Sequence, residues 1–154
     1  MKKFTFGLDT VLDYKNQVLS NLQMEHGKII AEMNHQENIM KDLKDRYEKL
    51  RIEFNDKKLY GMTIMEARTF QLYLSQIENQ IKAQEKKLEE VKKREEKKRR
   101  EVVESKTESA AIEKLREKKK TQYDAKVKKS EELFIEEFVS NSTSTIERPA
   151  SNCQ

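Results

Sequence analysis

The chain has little of what a compact catalytic domain is built from. Its three glycines, Gly7, Gly27 and Gly61, stand far apart. They cannot assemble a phosphate-cradling loop, and no strand precedes any helix start. A single proline, Pro149, leaves nearly the whole length open to continuous helix. The one cysteine, Cys153, excludes an internal disulfide and any cysteine metal site, and reads as an incidental thiol in a frayed tail. His26 and His35 are spaced so that they do not share a helical face at ligand distance, so no metal site is expected. No apolar run approaches the roughly 18–20 residues that span a bilayer. The start, Met1-Lys2-Lys3-Phe4-Thr5-Phe6, has no continuous apolar stretch to act as a signal, and a cytoplasmic location is expected. Enzymatic chemistry and a bound cofactor find no residues to carry them.

Charge, by contrast, is abundant. Of 154 residues, 39% are charged and 35% hydrophobic, a balance that belongs to long solvated helices. Lys and Arg total 32 against 28 Asp and Glu, so the net charge of +4 is a small difference between large numbers and says little about partners.

The apolar residues are few but ordered. Leu8, Leu12, Lys15, Leu19, Leu22, His26, Ile29, Met33, Gln36, Met40, Leu43, Tyr47, Leu50 and Phe54 follow one another in alternating steps of four and three. That rhythm is the 3.5-residue repeat of a coiled-coil strand, broken in polarity only at Lys15, His26 and Gln36. After Gly61 it resumes as Ala67, Phe70, Leu74, Ile77, Ile81, Gln84, Leu88 and Val91, then fades into charge with Val102 and Ile112 keeping phase. Two such strands with a short break predict an all-α fold: a long antiparallel two-helix coiled-coil hairpin with an overhanging second helix and a disordered C-terminal tail.

The predicted hairpin occupies residues 1–139. Helix one covers about 8–56, the turn about 57–62 and helix two about 63–139, where Thr63-Ile64-Met65-Glu66 has capping-box spacing. Residues 140–154, rich in Ser, Thr and Asn, are expected to be disordered. Antiparallel layering leaves two registers. With paired residue numbers summing to 124, Phe54 meets Phe70, Tyr47 meets Ile77, Met33 meets Val91 and Leu12 meets Ile112. With a sum of 117, Leu22 faces Glu95 and Leu19 faces Lys98, which buries charge, so the first register is preferred.

In that register helix two extends beyond helix one by roughly 20 residues, about 30 Å. Tyr123, Val127, Phe134 and Phe138 recur along it at helical spacing with no partner inside the hairpin. Such a stripe suits another protein, a second copy, or a fold-back of Phe4 and Phe6. At the opposite end Leu59, Tyr60, Met62, Ile64 and Met65 crowd the turn, and Ile52, Leu72 and Tyr73 lie off the seam, a second candidate docking surface. The basic run Lys92 to Arg100 is interleaved with Glu89, Glu90, Glu95, Glu96, Glu101 and Glu104 at three- and four-residue spacing. It reads as a solvated, ion-paired helix face, with no exposed aromatics to stack on bases; no nucleic-acid partner is expected.

Three blocks then stand out in order: Phe4-x-Phe6-x-Leu8-x-x-Val11-Leu12-x-x-Lys15; Gly61-Met62-Thr63-x-x-Glu66-x-Arg68-x-Phe70-x-x-Tyr73-Leu74-x-x-Ile77; and Glu113-Lys114-Leu115-Arg116-Glu117-Lys118. Over about residues 1–139 the chain resembles the flagellar export protein FliJ family. The resemblance implies a component of the flagellar type III export apparatus, shaped like the two-helix stalk of rotary ATPases and without catalysis of its own. It implies three partners: the hexameric flagellar export ATPase, the cytoplasmic domain of the membrane export gate, and export chaperones. Such a protein would be cytoplasmic and peripherally associated with the inner face of the cell membrane at the flagellar base. The family's gate-docking surface maps onto Leu43, Tyr73 and Ile77 in position and type, while Ile39, Arg46, Gln80 and Gln84 align but differ in type. The ATPase-facing end would be the helix termini, which coincides with the stripe Tyr123, Val127, Phe134 and Phe138. A reading from another class is a free-standing holdase-like coiled coil that presents its apolar turn to unfolded clients.

Overall fold

The computed structural model describes residues 3–146. They form two helices, α1 at Asp9–Tyr60 and α2 at Ile64–Ile146, which pack antiparallel as a coiled-coil hairpin. Two compact units are distinguished: residues 17–106, which contain the turn, and the first 16 residues together with the chain from 107 onward.

Within the turn-containing unit the seam alone is buried. Phe54, Met40 and Val91 are its best-buried apolar side chains. Phe54 and Phe70 stack with ring centroids 5.2 Å apart, which selects the register with sum 124, since the alternative would place Phe54 against Thr63. Gln84 and His26, polar seam residues of this unit, are satisfied, whereas the buried Ser109 hydroxyl of the other unit has no hydrogen-bond partner. Gln84 donates its amide to the Gln36 main-chain carbonyl at 3.1 Å and to the Gln36 side-chain oxygen at 2.5 Å. His26 Nε2 lies 2.9 Å from Glu95 Oε1, both side chains being mostly buried. Lys98, beside them, bridges Glu25 and Glu101 at 2.9 Å each. A buried polar group without a partner costs about 1–3 kcal/mol, so pairing is the condition for placing these residues in the seam.

The helices meet the turn through two local devices. α1 ends where Gly61 takes a φ of 91°, a left-handed conformation that only glycine adopts without strain. α2 begins with a reciprocal capping box: the Thr63 N–H donates to Glu66 Oε2 at 3.0 Å and the Glu66 N–H to Thr63 Oγ1 at 3.2 Å. The turn is tighter than the expected span of about 57–62, because residues 57–60 remain helical. Lys57 and Lys58 lie in the last turn of α1, where their charge suits the negative end of the helix dipole. They also fold back over aromatic faces, Lys57 5.1 Å from the Phe70 centroid and Lys58 4.0 Å from that of Phe54.

In the other unit, the start of α1 packs against α2. Leu12 is buried, and so is Phe6, which precedes the helix; Leu8, the expected first seam residue, is 39% exposed. Asp9 pairs with Arg116 at 3.0 Å and Lys15 with Glu108 at 2.6 Å. The seam of α2 does not fade as expected: Ser105 and Ser109, each in its own unit, continue its phase between Val102 and Ile112 and are buried. The second helix also outruns its expected end near Val139. Residues 140–146, assigned from composition to a disordered tail, are helical. Two of their hydroxyls bond back into the helix, Ser142 Oγ to the Val139 carbonyl at 2.9 Å and Thr143 Oγ1 to the same carbonyl at 2.8 Å. Residues 147–154 of that expected tail, with Pro149 and Cys153, lie outside the described residues.

Candidate functional site

The free end of α2 carries the first surface. Because α1 starts only at Asp9, opposite Arg116, α2 beyond Tyr123 has no helix alongside it among the described residues. At 3.6 residues per turn Tyr123, Val127, Phe134 and Phe138 fall within about 60° of arc. They are not equally open. Phe4 packs its ring against Tyr123, centroids 5.5 Å apart and tilted, so Tyr123 has a partner within the chain, and of the alternatives left open for the stripe the fold-back of Phe4 holds at this one position. The irregular run before α1 makes this possible, since Phe6 is buried and Phe4, two residues before it, reaches Tyr123. Val127 is half-buried, whereas Phe134 and Phe138 are 70% and 68% exposed. Leu133, Ile135 and Val139 are exposed around them, and Val139 was absent from the sequence-derived stripe. A lone charged helix is marginal in water, so this much exposed apolar surface points to a protein partner.

The turn carries the second. Leu59, Tyr60, Ile64 and Met65 project into solvent, Tyr60 being 93% exposed. Beside the turn Tyr73, 55% exposed, lines a groove of about 450 Å³ with Leu50, Met65, Thr69 and Phe70, closed at its rim by Glu53, Lys57 and Glu66. The structure separates the three expected gate residues. Tyr73 stands on the surface, while Leu43 and Ile77 are half-buried in the seam, in the layers of Ile81 and Tyr47. Tyr47 in turn donates its hydroxyl to Glu78 at 2.9 Å, and that bond raises the phenol's pKa. Of this groove wall Met65 was already singled out from sequence, whereas Thr69 was not; it lies one turn from Tyr73 on the same face of α2, a spacing that would have revealed it.

Among the described residues no group of three or more His, Cys, Asp or Glu side chains could hold a metal ion, and no helix is long and apolar enough to cross a membrane. What both surfaces offer is apolar area with a charged rim, the chemistry of protein docking.

No curated protein and no solved structure matches the chain. A model of the family described as "Flagellar FliJ protein" matches residues 4–145, nearly the entire length, and takes in both surfaces. The chain therefore belongs to the flagellar FliJ family, whose role lies in flagellar protein export.

Proposed function

We propose that this protein is a non-catalytic adaptor and stalk of the flagellar type III export apparatus. It binds the hexameric export ATPase ring through the free end of α2, docks on the cytoplasmic domain of the membrane export gate beside the turn, and engages export chaperones. It acts in the cytoplasm, peripherally associated with the inner face of the cell membrane at the flagellar base. The observation that carries this reading is the exposure of Phe134 and Phe138 on the free end of α2, which has no helix alongside it among the described residues. Family membership supports partners within the flagellar export apparatus, and the apolar face supplies a physical reason for one of them.

Titration of the full chain against purified export ATPase tests the ring contact. Phe134→Ala with Phe138→Ala leaves charge and seam intact, so the helical signal stays and affinity falls, each truncation forfeiting about 1–3 kcal/mol of buried apolar surface. Wild-type affinity in the double variant would remove the free end of α2 as the ring-facing surface. The exposure of Leu59, Tyr60, Ile64 and Met65 also favours a second reading, a holdase that offers its turn to unfolded clients. Client capture with no measurable ATPase affinity would select that reading instead.

A further inference from the structure

Apart from Asp124, the free end of α2 divides its charge by sign about one point. Lys126, Lys128 and Lys129 lie before Ser130; Glu131, Glu132, Glu136 and Glu137 lie after it. The apolar stripe is symmetric about the same point: Val127 and Phe134 are equidistant from the Ser130–Glu131 peptide bond, and so are Tyr123 and Phe138. A helix face with both properties is complementary to itself run backwards.

We propose that two copies of this chain pair antiparallel through the free end of α2, about a two-fold axis between Ser130 and Glu131. The axis lays Val127 on Phe134 of the second copy and brings Phe138 of the second copy onto the tilted Phe4–Tyr123 pair. Along one edge of the stripe Lys126 meets Glu137, and along the other Lys128 meets Glu131, each twice by symmetry; Glu131 also approaches its own copy at the axis, a repulsion that the two flanking Lys128 ammonium groups offset. A parallel pair would set Lys126 against Lys126 and Glu137 against Glu137, which the charge pattern opposes. The pairing covers Phe134 and Phe138, the most exposed aromatics of this end of α2. The contact is short, so the dimer is weak and concentration-dependent. It is read from spacing and charge alone and does not rest on the ATPase contact, although both use the same face.

Sedimentation velocity on the full chain with Cys153→Ser, over a concentration series, tests it. The expected result is a monomer–dimer equilibrium. Phe134→Ser with Phe138→Ser raises the dissociation constant about 100-fold or more, since the two-fold axis counts each truncation twice. Lys126→Glu with Lys128→Glu also breaks the dimer, and mixing that chain with one carrying Glu131→Lys and Glu137→Lys restores a one-to-one pair. For orientation, Ser130→Cys forms an interchain disulfide and Lys120→Cys does not. A chain monomeric at every concentration, a dimer that survives the serine changes with helicity retained, a charge swap without rescue, or a disulfide at Lys120→Cys would each overturn the proposal. Absence of ring binding by the wild-type chain would overturn the adaptor role and leave these outcomes unaffected.

Discussion

Phe54 lies face to face with Phe70 across the turn, centroids 5.2 Å apart with 25° between the ring planes, and this one contact fixes which residue meets which along the turn-containing unit. Because seam steps alternate four and three on both helices, a slip of one heptad would keep the apolar rhythm and change every neighbour. Cross-linking reads the register directly. In a Cys153→Ser background, Met33→Cys with Val91→Cys forms an intrachain disulfide, and Met33→Cys with Gln84→Cys forms it poorly, because bridged Cα atoms must lie within about 7 Å. A reversed yield would assign the register with sum 117.

Gly27 sits on the exposed face of α1, and a Cβ built there meets nothing within 4 Å. Nothing in its backbone calls for glycine, since Gly61 alone of the described glycines has a positive φ. Gly27→Ala therefore stabilises the hairpin by about 1 kcal/mol through helix propensity. A chemical-denaturation midpoint that falls instead would show that a Cβ at position 27 meets a neighbour within the chain.

The capping box at the start of α2 is the mirror case. Thr63 and Glu66 each satisfy a main-chain N–H of the other, so Thr63→Ala leaves an open helix end and costs about 1 kcal/mol. Thr63→Asp retains an acceptor at the same place and keeps most of the stability. Equal losses in both variants would mean that the hydroxyl, rather than capping as such, matters at this site.

The Lys98 ammonium, hydrogen-bonded to Glu25, holds the Glu25 carboxyl below its ordinary value, and Glu25 and Glu101 together raise the pKa of Lys98. A folded-state carboxyl pKa below the unfolded one adds stability that is fully present above the unfolded pKa and is lost as pH falls through the folded one. Both groups are solvated, so the effect is visible as a titration midpoint more than as stability. In NMR titration Glu25 protonates at lower pH than a free glutamate, and Lys98→Met returns it to the ordinary range. An unchanged midpoint in that variant would assign the shift to another neighbour.

Periodicity made the hairpin, its register and the capping box legible, because each depends on residue spacing along one helix or between two. Two features were hidden for stated physical reasons. Ser105 and Ser109 keep seam phase without being apolar, so a reading built on hydrophobic residues loses the seam where small side chains fill it. Residues 140–146 have the composition of a loop, yet the Ser142 and Thr143 hydroxyls bond to carbonyls three and four residues back and let the helix continue. The candidate sites were half legible. The stripe at Phe134 and Phe138 is where spacing put it, but whether Phe4 covers Tyr123 depends on how an irregular segment docks, which no periodicity encodes.

Tyr73 separates docking from folding better than any other residue of the turn end. Leu43 and Ile77 share its expected role, but both are half-buried in seam layers, so truncating either removes core as well as surface. Tyr73 lies outside the seam, 55% exposed, on the wall of the groove with Met65 and Phe70. Tyr73→Ala is therefore expected to leave the helical circular-dichroism signal and melting temperature nearly unchanged. Affinity for the cytoplasmic domain of the export gate falls by at least about 1 kcal/mol, the usual loss for an interface aromatic, or roughly fivefold to tenfold. Tyr73→Phe keeps the ring and restores most of that affinity if the contact is apolar. An unchanged gate affinity in Tyr73→Ala moves the docking surface away from this groove, and a loss of helicity would mean that the ring supports the turn rather than a partner.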